Sequence, residues 1–269
     1  MANSNAQFLS DLSAFERSIN GCREVLGEGT LLVAPLPDCA EIPICYEITA
    51  PTGAAISDTT IDLQVTAPAG TQEVDLFEGR LIYMSGGEIL TVTEAAVIND
   101  AGVTPVSVEA LTVGVAAAET ADAFNSNEVC SISSMPISLN IQTQNNKTLK
   151  DGIQGTVTKT SIQPQLNIEF FLRTDDDGFW NEGLIYDSGH EDLRFYGMSI
   201  RLNGRQTYWG PMEVTALDFA DQVEQLQTGT ATITLQPRWY EAKEFSRLTT
   251  AQQTALNNIR QLFGLSQLV

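Results

Sequence analysis

The stretch Ile137-Ser138-Leu139-Asn140-Ile141-Gln142-Thr143-Gln144 alternates apolar or β-branched residues with uncharged polar ones, without a break. From Ile162 to Leu172 the pattern resumes, with Ile162, Pro164, Leu166, Ile168, Phe170 and Leu172 set against Gln163, Gln165, Asn167 and Glu169. Met198, Ile200 and Leu202 alternate with Ser199, Arg201 and Asn203, and Ala231, Ile233 and Leu235 with Thr230, Thr232, Thr234 and Gln236. Period two puts one set of side chains on a core and the other in water. That is the signature of an antiparallel sheet, because parallel strands are covered on both faces and read as unbroken apolar runs. The wet face then carries Ser138, Asn140, Gln142, Gln144, Gln163, Gln165, Asn167 and Glu169. A row of amides and hydroxyls suits the wall of a surface or channel better than a reaction centre.

With 269 residues the chain is long enough for one large β domain or two smaller ones. A hydrophobic content of 43% is ordinary for a globular protein. Charge is not ordinary: 14 Lys+Arg against 34 Asp+Glu leave a formal −20. Gripping nucleic acid requires cations to neutralise phosphates, so the composition argues against DNA or RNA binding. It is compatible with a channel through which DNA slides without sticking, and also with a charge that only confers solubility. No run approaches the roughly 18 apolar residues of a membrane span. Met-Ala-Asn-Ser-Asn lacks the basic-then-apolar layout of a signal peptide. Cys22, Cys39, Cys45 and Cys130 are irregularly spaced without a C-x-x-C pair, although Cys39 and Cys45 lie close enough in sequence to close a small loop. These features predict reduced thiols and assembly in a cytoplasm.

Acidity is concentrated. Between Tyr46 and Phe124, Arg80 is the one basic residue against twelve acids, so this block carries about −11. Its β-runs (Ile61 to Val65, Val74 to Phe77, Ile89 to Thr93, Val106 to Ala110) are separated by glycines at 70, 79, 86, 87 and 102. We therefore expect an inserted acidic β subdomain over 46–124, a main β domain from 1–45 and 125–240, and a helical arm over 241–269. Phe8, Leu12, Phe15 and Ile19 fall at helical spacing before Gly21, and Phe179 to Ser188 reads as a short helix capped by Asp177. At the end of the chain, Thr250 and Gln253 match a capping box, and Leu256, Ile259, Leu262 and Phe263 form an apolar stripe ending at Gly264. That stripe either covers the chain's own core or docks on a neighbouring subunit; we carry its four residues forward as candidate inter-subunit contacts.

The search for catalytic chemistry returns little. With His190 as the single histidine, no Ser-His-Asp, Cys-His or multi-His zinc site is expected within one chain. Neither Gly-rich phosphate cradle occurs. Asp175-Asp176-Asp177-Gly178 with Glu182 lacks the alternate spacing of a calcium loop and reads as a solvated turn. Aromatic residues, at 7%, are too few for the sugar-stacking cleft that usually surrounds paired carboxylates. No cofactor, metal site or enzymatic activity is expected.

Taken in order, the segments resemble the major tail tube proteins of long-tailed bacteriophages. Leu26-Gly27-Glu28-Gly29-Thr30-Leu31-Leu32-Val33 is similar to the family's Gly-x-Gly-Thr strand entry, and Pro136 to Asn146 to its first long hairpin strand. Thr156 to Arg173 matches the return strand, followed by the short helix and by Arg194 to Asn203. Gly210-Pro211-Met212-Glu213-Val214-Thr215-Ala216-Leu217 and Gly229 to Gln236 complete the order. The likeness covers about half of the chain and rests on the order of strands and turns. It implies a mainly β fold: an antiparallel β-sandwich or partial barrel of the tail-tube type, with one or two short helices, the acidic insert and the C-terminal amphipathic helix. It also implies stacked, six-subunit rings whose lumen carries the genome in the tail of a virion. The implied partners are further copies of the chain, a tape-measure protein and tail terminator and initiator proteins; DNA passes through unbound, and there is no membrane anchor. The alternative is another virion or surface β protein, such as a capsid decoration protein.

Overall fold

The structure, a computed structural model, describes residues 29–37, 40–68, 70, 72–146, 156–173, 176–180, 184–191, 193–201, 206–220 and 227–268. The expected N-terminal helix, Leu26 to Glu28, Cys22, Cys39, Asp175 and Glu182 lie outside these residues. In chain order the strands are β1 (Gly29–Pro35), β2 (Cys45–Ala50), β3 (Thr60–Ala67), β4 (Glu73–Leu76), β5 (Leu81–Tyr83) and β6 (Ile89–Thr91). There follow β7 (Ala96–Asn99), β8 (Thr104–Ser107), β9 (Glu119–Phe124), β10 (Asn127–Glu128), β11 (Ile132–Ser134) and β12 (Ile137–Asn146). The last five are β13 (Thr156–Phe171), β14 (Arg194–Arg201), β15 (Gln206–Ala220), β16 (Thr228–Leu235) and β17 (Tyr240–Lys243). Helices α1 (Asp177–Trp180) and α2 (Ile185–Glu191) follow β13, and α3 (Thr250–Leu262) ends the chain.

The protein is mainly β and antiparallel, as the alternation requires. A nine-stranded sheet runs β10-β1-β14-β15-β16-β13-β11, with β12 added to β13 and β17 to β15, and curls into a half-barrel. On β13 the inward set Leu166, Ile168 and Phe170 is at most 1% exposed. It packs with Ile233 of β16, Phe195 of β14 and Phe179 of α1. One expectation is corrected at β14. Ser199, placed on the wet face by alternation, is fully buried. The reason is position: β14 lies between β1 and β15, and Tyr196, Met198 and Ile200 on its other face enter a second core with Leu32, Phe124 and Phe263.

A separate core draws only on residues from Tyr46 to Ala123, including Ile48, Leu63, Val74, Leu90, Ile98 and Val106. Its principal sheet has the order β8-β3-β2-β9, accompanied by the ribbons β4-β7 and β5-β6. The lone cation of this acidic segment is wholly buried. Arg80 Nη1 donates to the carbonyls of Asp75 (2.8 Å) and Ser126 (3.1 Å), and Nη2 to that of Phe124. Its guanidinium lies over the Phe77 ring. Burial pulls its pKa down to about 10, with the charge of Asp75 pushing back, so it stays cationic at neutral pH.

The C-terminal segment is fastened to both parts. Leu81 N–H donates to Gly264 O at 2.9 Å, and Tyr83 Oη to Leu265 O at 2.9 Å. Phe263 meets Phe124 edge-on and stacks on Tyr196. Gly264 has φ +77°, and a Cβ there would meet Arg80 Cγ, so glycine is required for both conformation and space. The helix is capped by Thr249 with Gln252, one residue earlier than the expected Thr250 and Gln253. Thr249→Ala should therefore cost about 1 kcal/mol of stability, measurable by chemical denaturation, whereas Thr250→Ala should leave the cap intact.

Cysteine chemistry also departs from expectation. Cys130 is disulfide-bonded and Cys45 is a free, exposed thiol. Sequence spacing alone carries no connectivity, which is why reduced thiols were the default reading.

Candidate functional site

The strands β12, β13 and β16 share one polar face. Register brings its members side by side: Ser138 opposite Gln165, Asn140 opposite Gln163, and across the next ladder Gln165 opposite Thr234, Asn167 opposite Thr232 and Glu169 opposite Thr230. Hydrogen bonds then run across the strands. Asn167 Nδ2 donates to Ser138 Oγ (3.2 Å), Thr232 Oγ1 to Asn167 Oδ1 (3.3 Å) and Gln165 Nε2 to Thr234 Oγ1 (3.4 Å), and Thr215 Oγ1 on β15 shares a bond with Thr234 Oγ1 at 3.1 Å. Neutral groups hold each other in place, and among the described side chains of this face on the three strands Glu169 is the one charge. Lys159 lies farther along β13, beyond a bulge, and its side chain falls outside the described part, as do those of Gln142 and Gln144.

The structure thus gathers six predicted residues (Ser138, Asn140, Gln163, Gln165, Asn167 and Glu169) on one surface. It adds Thr215, Thr230 and Thr232, which the site prediction omitted; Thr234, placed on the wet face by alternation, is instead buried at 3% exposure, bonded by Gln165 and Thr215. The threonine alternation was visible in the sequence; the register aligning it with β13 was not.

The opposite face of the same hairpin is unfinished. Ile141 faces Ile162 and Leu139 faces Pro164 in register. In phase with the buried Pro164, Leu166 and Ile168, the other three nevertheless lie beyond the core: Leu139 is 52%, Ile162 47% and Ile141 41% exposed. The cause is geometric. The partner β16 reaches β13 only from Gln165 to Phe171, so residues 156–164 are paired on the β12 side alone. The hairpin projects as a two-stranded ribbon with open edges, a form rarely stable by itself in water and a template for further strands.

The C-terminal candidates are placed elsewhere. Leu256 and Phe263 are buried in the chain's own cores, at 2% and 0% exposure, and Ile259 and Leu262 pack partly buried beside Phe263. Within the subunit they act as a clasp, with Leu256 and Phe263 covered and part of Ile259 and Leu262 still exposed. Asp176, not the expected Asp177, caps α1: it is 1% exposed, and its carboxylate takes the Ser131 N–H at 2.8 Å.

Between the two parts of the chain lies a groove of about 500 Å³, lined by Pro35, Pro37, Pro43 and Tyr46, together with Glu73, Asp75 and Arg194. It contains no nucleophile beside a base. Among the described residues no three His, Cys, Asp or Glu side chains gather as a metal site, and no helix is long and apolar enough to cross a membrane.

No protein-family model matches the chain, and no curated protein matches its sequence. Among solved structures, a chain from the virion of a native gene transfer agent particle is 11% identical with a TM-score of 0.36, over 44% of this chain and 88% of that one. A chain from the tail of an empty gene transfer agent particle, with C6 symmetry, is 12% identical with a TM-score of 0.32, over 41% and 81%. A chain from the six-fold symmetrised baseplate of the anti-feeding prophage is 7% identical with a TM-score of 0.32, over 66% and 97%. Overlap this slight is a finding about partial shape and carries no argument about function.

Proposed function

We propose that this chain is a non-enzymatic structural subunit of a phage-type tail, which polymerises into stacked rings, six subunits to a ring, enclosing a channel for genome passage. The observation that carries this reading is the projecting β12–β13 ribbon. One of its faces is a smooth, hydrogen-bonded polar wall, its other face is apolar and exposed, and its edges are open. Copies of the same ribbon side by side satisfy all three at once: edges pair, apolar faces are covered, and polar faces join into a continuous lining. A lining of Gln, Asn, Thr and Ser, with Glu169 as the one charge among its described side chains, offers no cationic grip to a phosphate backbone. The tape-measure, terminator and initiator proteins are the partners such a tube requires, and the virion tail is its place.

Negative-stain electron microscopy of the purified protein at increasing concentration tests the reading. Rings or hollow filaments with a stain-filled core are the expected result. Monomers at every concentration, even when ready-made tail initiators are supplied, would overturn it. Within assembled tubes, Gln163→Lys with Gln165→Lys should leave tube formation intact but make the lumen retain double-stranded DNA. That retention should weaken steeply with salt, because each lysine–phosphate contact releases counterions. Unretarded DNA passage in the double variant would move the lumen away from this face.

A further inference from the structure

One line of paired residues crosses the large sheet: Arg194 opposite Glu213, Glu213 opposite Thr234, and Thr234 opposite Gln165. On β1 the line ends beside Pro35, which pairs with Phe195. The groove between the two parts of the chain opens at this end of β1 and β14, with Pro35 and Arg194 in its lining. The β12–β13 ribbon leaves the same line at Gln165 and runs along β13 to Thr156, about 30 Å. It runs to the side on which Gly29 of β1 pairs with Arg201 of β14, away from the groove. A subunit's ribbon thus ends far from its own groove and points away from it.

The two ends are complementary in chemistry. The connection from β12 into the start of β13, residues 147–159, holds Lys147, Lys150 and Lys159, three of the chain's four lysines, against one acid, Asp151. That is a local +2 in a chain of −20. Leu149 and Ile153 lie among these lysines in sequence. The groove sets acids beside apolar groups: exposed Glu73 and half-buried Asp75 with Leu36, Pro37 and Ile44, and Arg194 as the one cation of its lining. Both acids belong to the segment that carries about −11. A volume of about 500 Å³ takes a few side chains and not a whole strand.

We propose that the ribbon end of one copy docks in the groove of a second copy placed end-on to it, lysines against Glu73 and Asp75, apolar side chains against Leu36 and Ile44. The contact is the ring-to-ring joint of the stacked-ring reading, on which it rests. Groove and ribbon are different surfaces, so the joint is heterologous: any stack keeps a free ribbon at one end and a free groove at the other, and extends without closing. Repeated around a ring the joint is multivalent, so each contact can be weak while the stack holds.

The test is carbodiimide cross-linking of the assembled full chain, made from mixed isotopically heavy and light protein and read by mass spectrometry. The reagent joins an amine directly to a carboxylate, so it reports touching pairs. The expected product links Lys147 or Lys150 of one chain to Glu73 or Asp75 of another, heavy to light. Links confined within single chains, or no link from these lysines to this groove, would overturn the docking. In sedimentation, Glu73→Lys should weaken association about tenfold and leave unstacked rings. Adding Lys147→Glu and Lys150→Glu to that variant should restore stacking. Tubes of normal length from Glu73→Lys alone would also overturn it. The expected links in filaments without rings would keep the docking and remove the tube; stacked rings linked elsewhere would keep the tube and remove the docking.

Discussion

A chain ending at Glu244 is expected not to fold stably at 37 °C. Removing the segment takes Phe263, Leu265 and Leu256 out of two cores and exposes Phe124, Tyr196 and Met198 that they cover. Burying each large apolar side chain contributes about 1.5–3 kcal/mol, so three of them contribute roughly 5–9. That rivals the whole net stability of a typical domain, about 5–15 kcal/mol. The loss is partly offset because the tail no longer has to be ordered, which makes the point variant Phe263→Ala the sharper measurement. It should cost about 3–5 kcal/mol, seen as a lowered melting temperature and faster proteolysis after Phe124. Melting within a degree or two of the full chain would show that the segment is a dispensable arm and not a cover for the chain's own core.

Arg80→Met should be nearly as damaging. Methionine keeps the stem over Phe77 but leaves the carbonyls of Asp75, Ser126 and Phe124 without their donor in a dry site. Breaking such a buried charged network costs about 3–5 kcal/mol, or roughly 6–20 °C in melting temperature for a domain of this size. Arg80→Lys should recover only part of it, since a single ammonium cannot reach carbonyls that the planar fork spans. Equal stability of the Met variant and the wild type would mean that the carbonyls find other partners and that the guanidinium is not the tie between the acidic segment and Ser126.

What the sequence disclosed, it disclosed through local period. β12, β13 and β16 could be read directly because each has one wet face. The strand β15 could not be read from period, since a bulge between Val214 and Ala216 breaks its alternation, and Gly210 to Leu217 entered only through the resemblance. Ser199 was misplaced because burial on both faces depends on which strands flank β14, a property of topology. The cap of α3 slipped by one because Thr249/Gln252 and Thr250/Gln253 satisfy the same spacing, and only geometry chooses. Of the polar wall, the residues were legible and the register was not. Arg80 gave no warning at all. An isolated cation among acids looks like surface, and its burial depends on Phe124 and Ser126, more than 40 residues away.

The burial of Arg80 has one more consequence. It leaves the outside of the segment from Tyr46 to Phe124 with no positive group to interleave with the carboxylates of an identical neighbour. Wherever copies of this chain stand close together, these segments behave as like-charged bristles, spaced by osmotic pressure more than by contact. At physiological ionic strength their field reaches about 8 Å, and at a hundredth molar about 30 Å. Salt concentration then acts as a ruler for crowding, spreading the bristles in dilute buffer and letting them lie flat in brine.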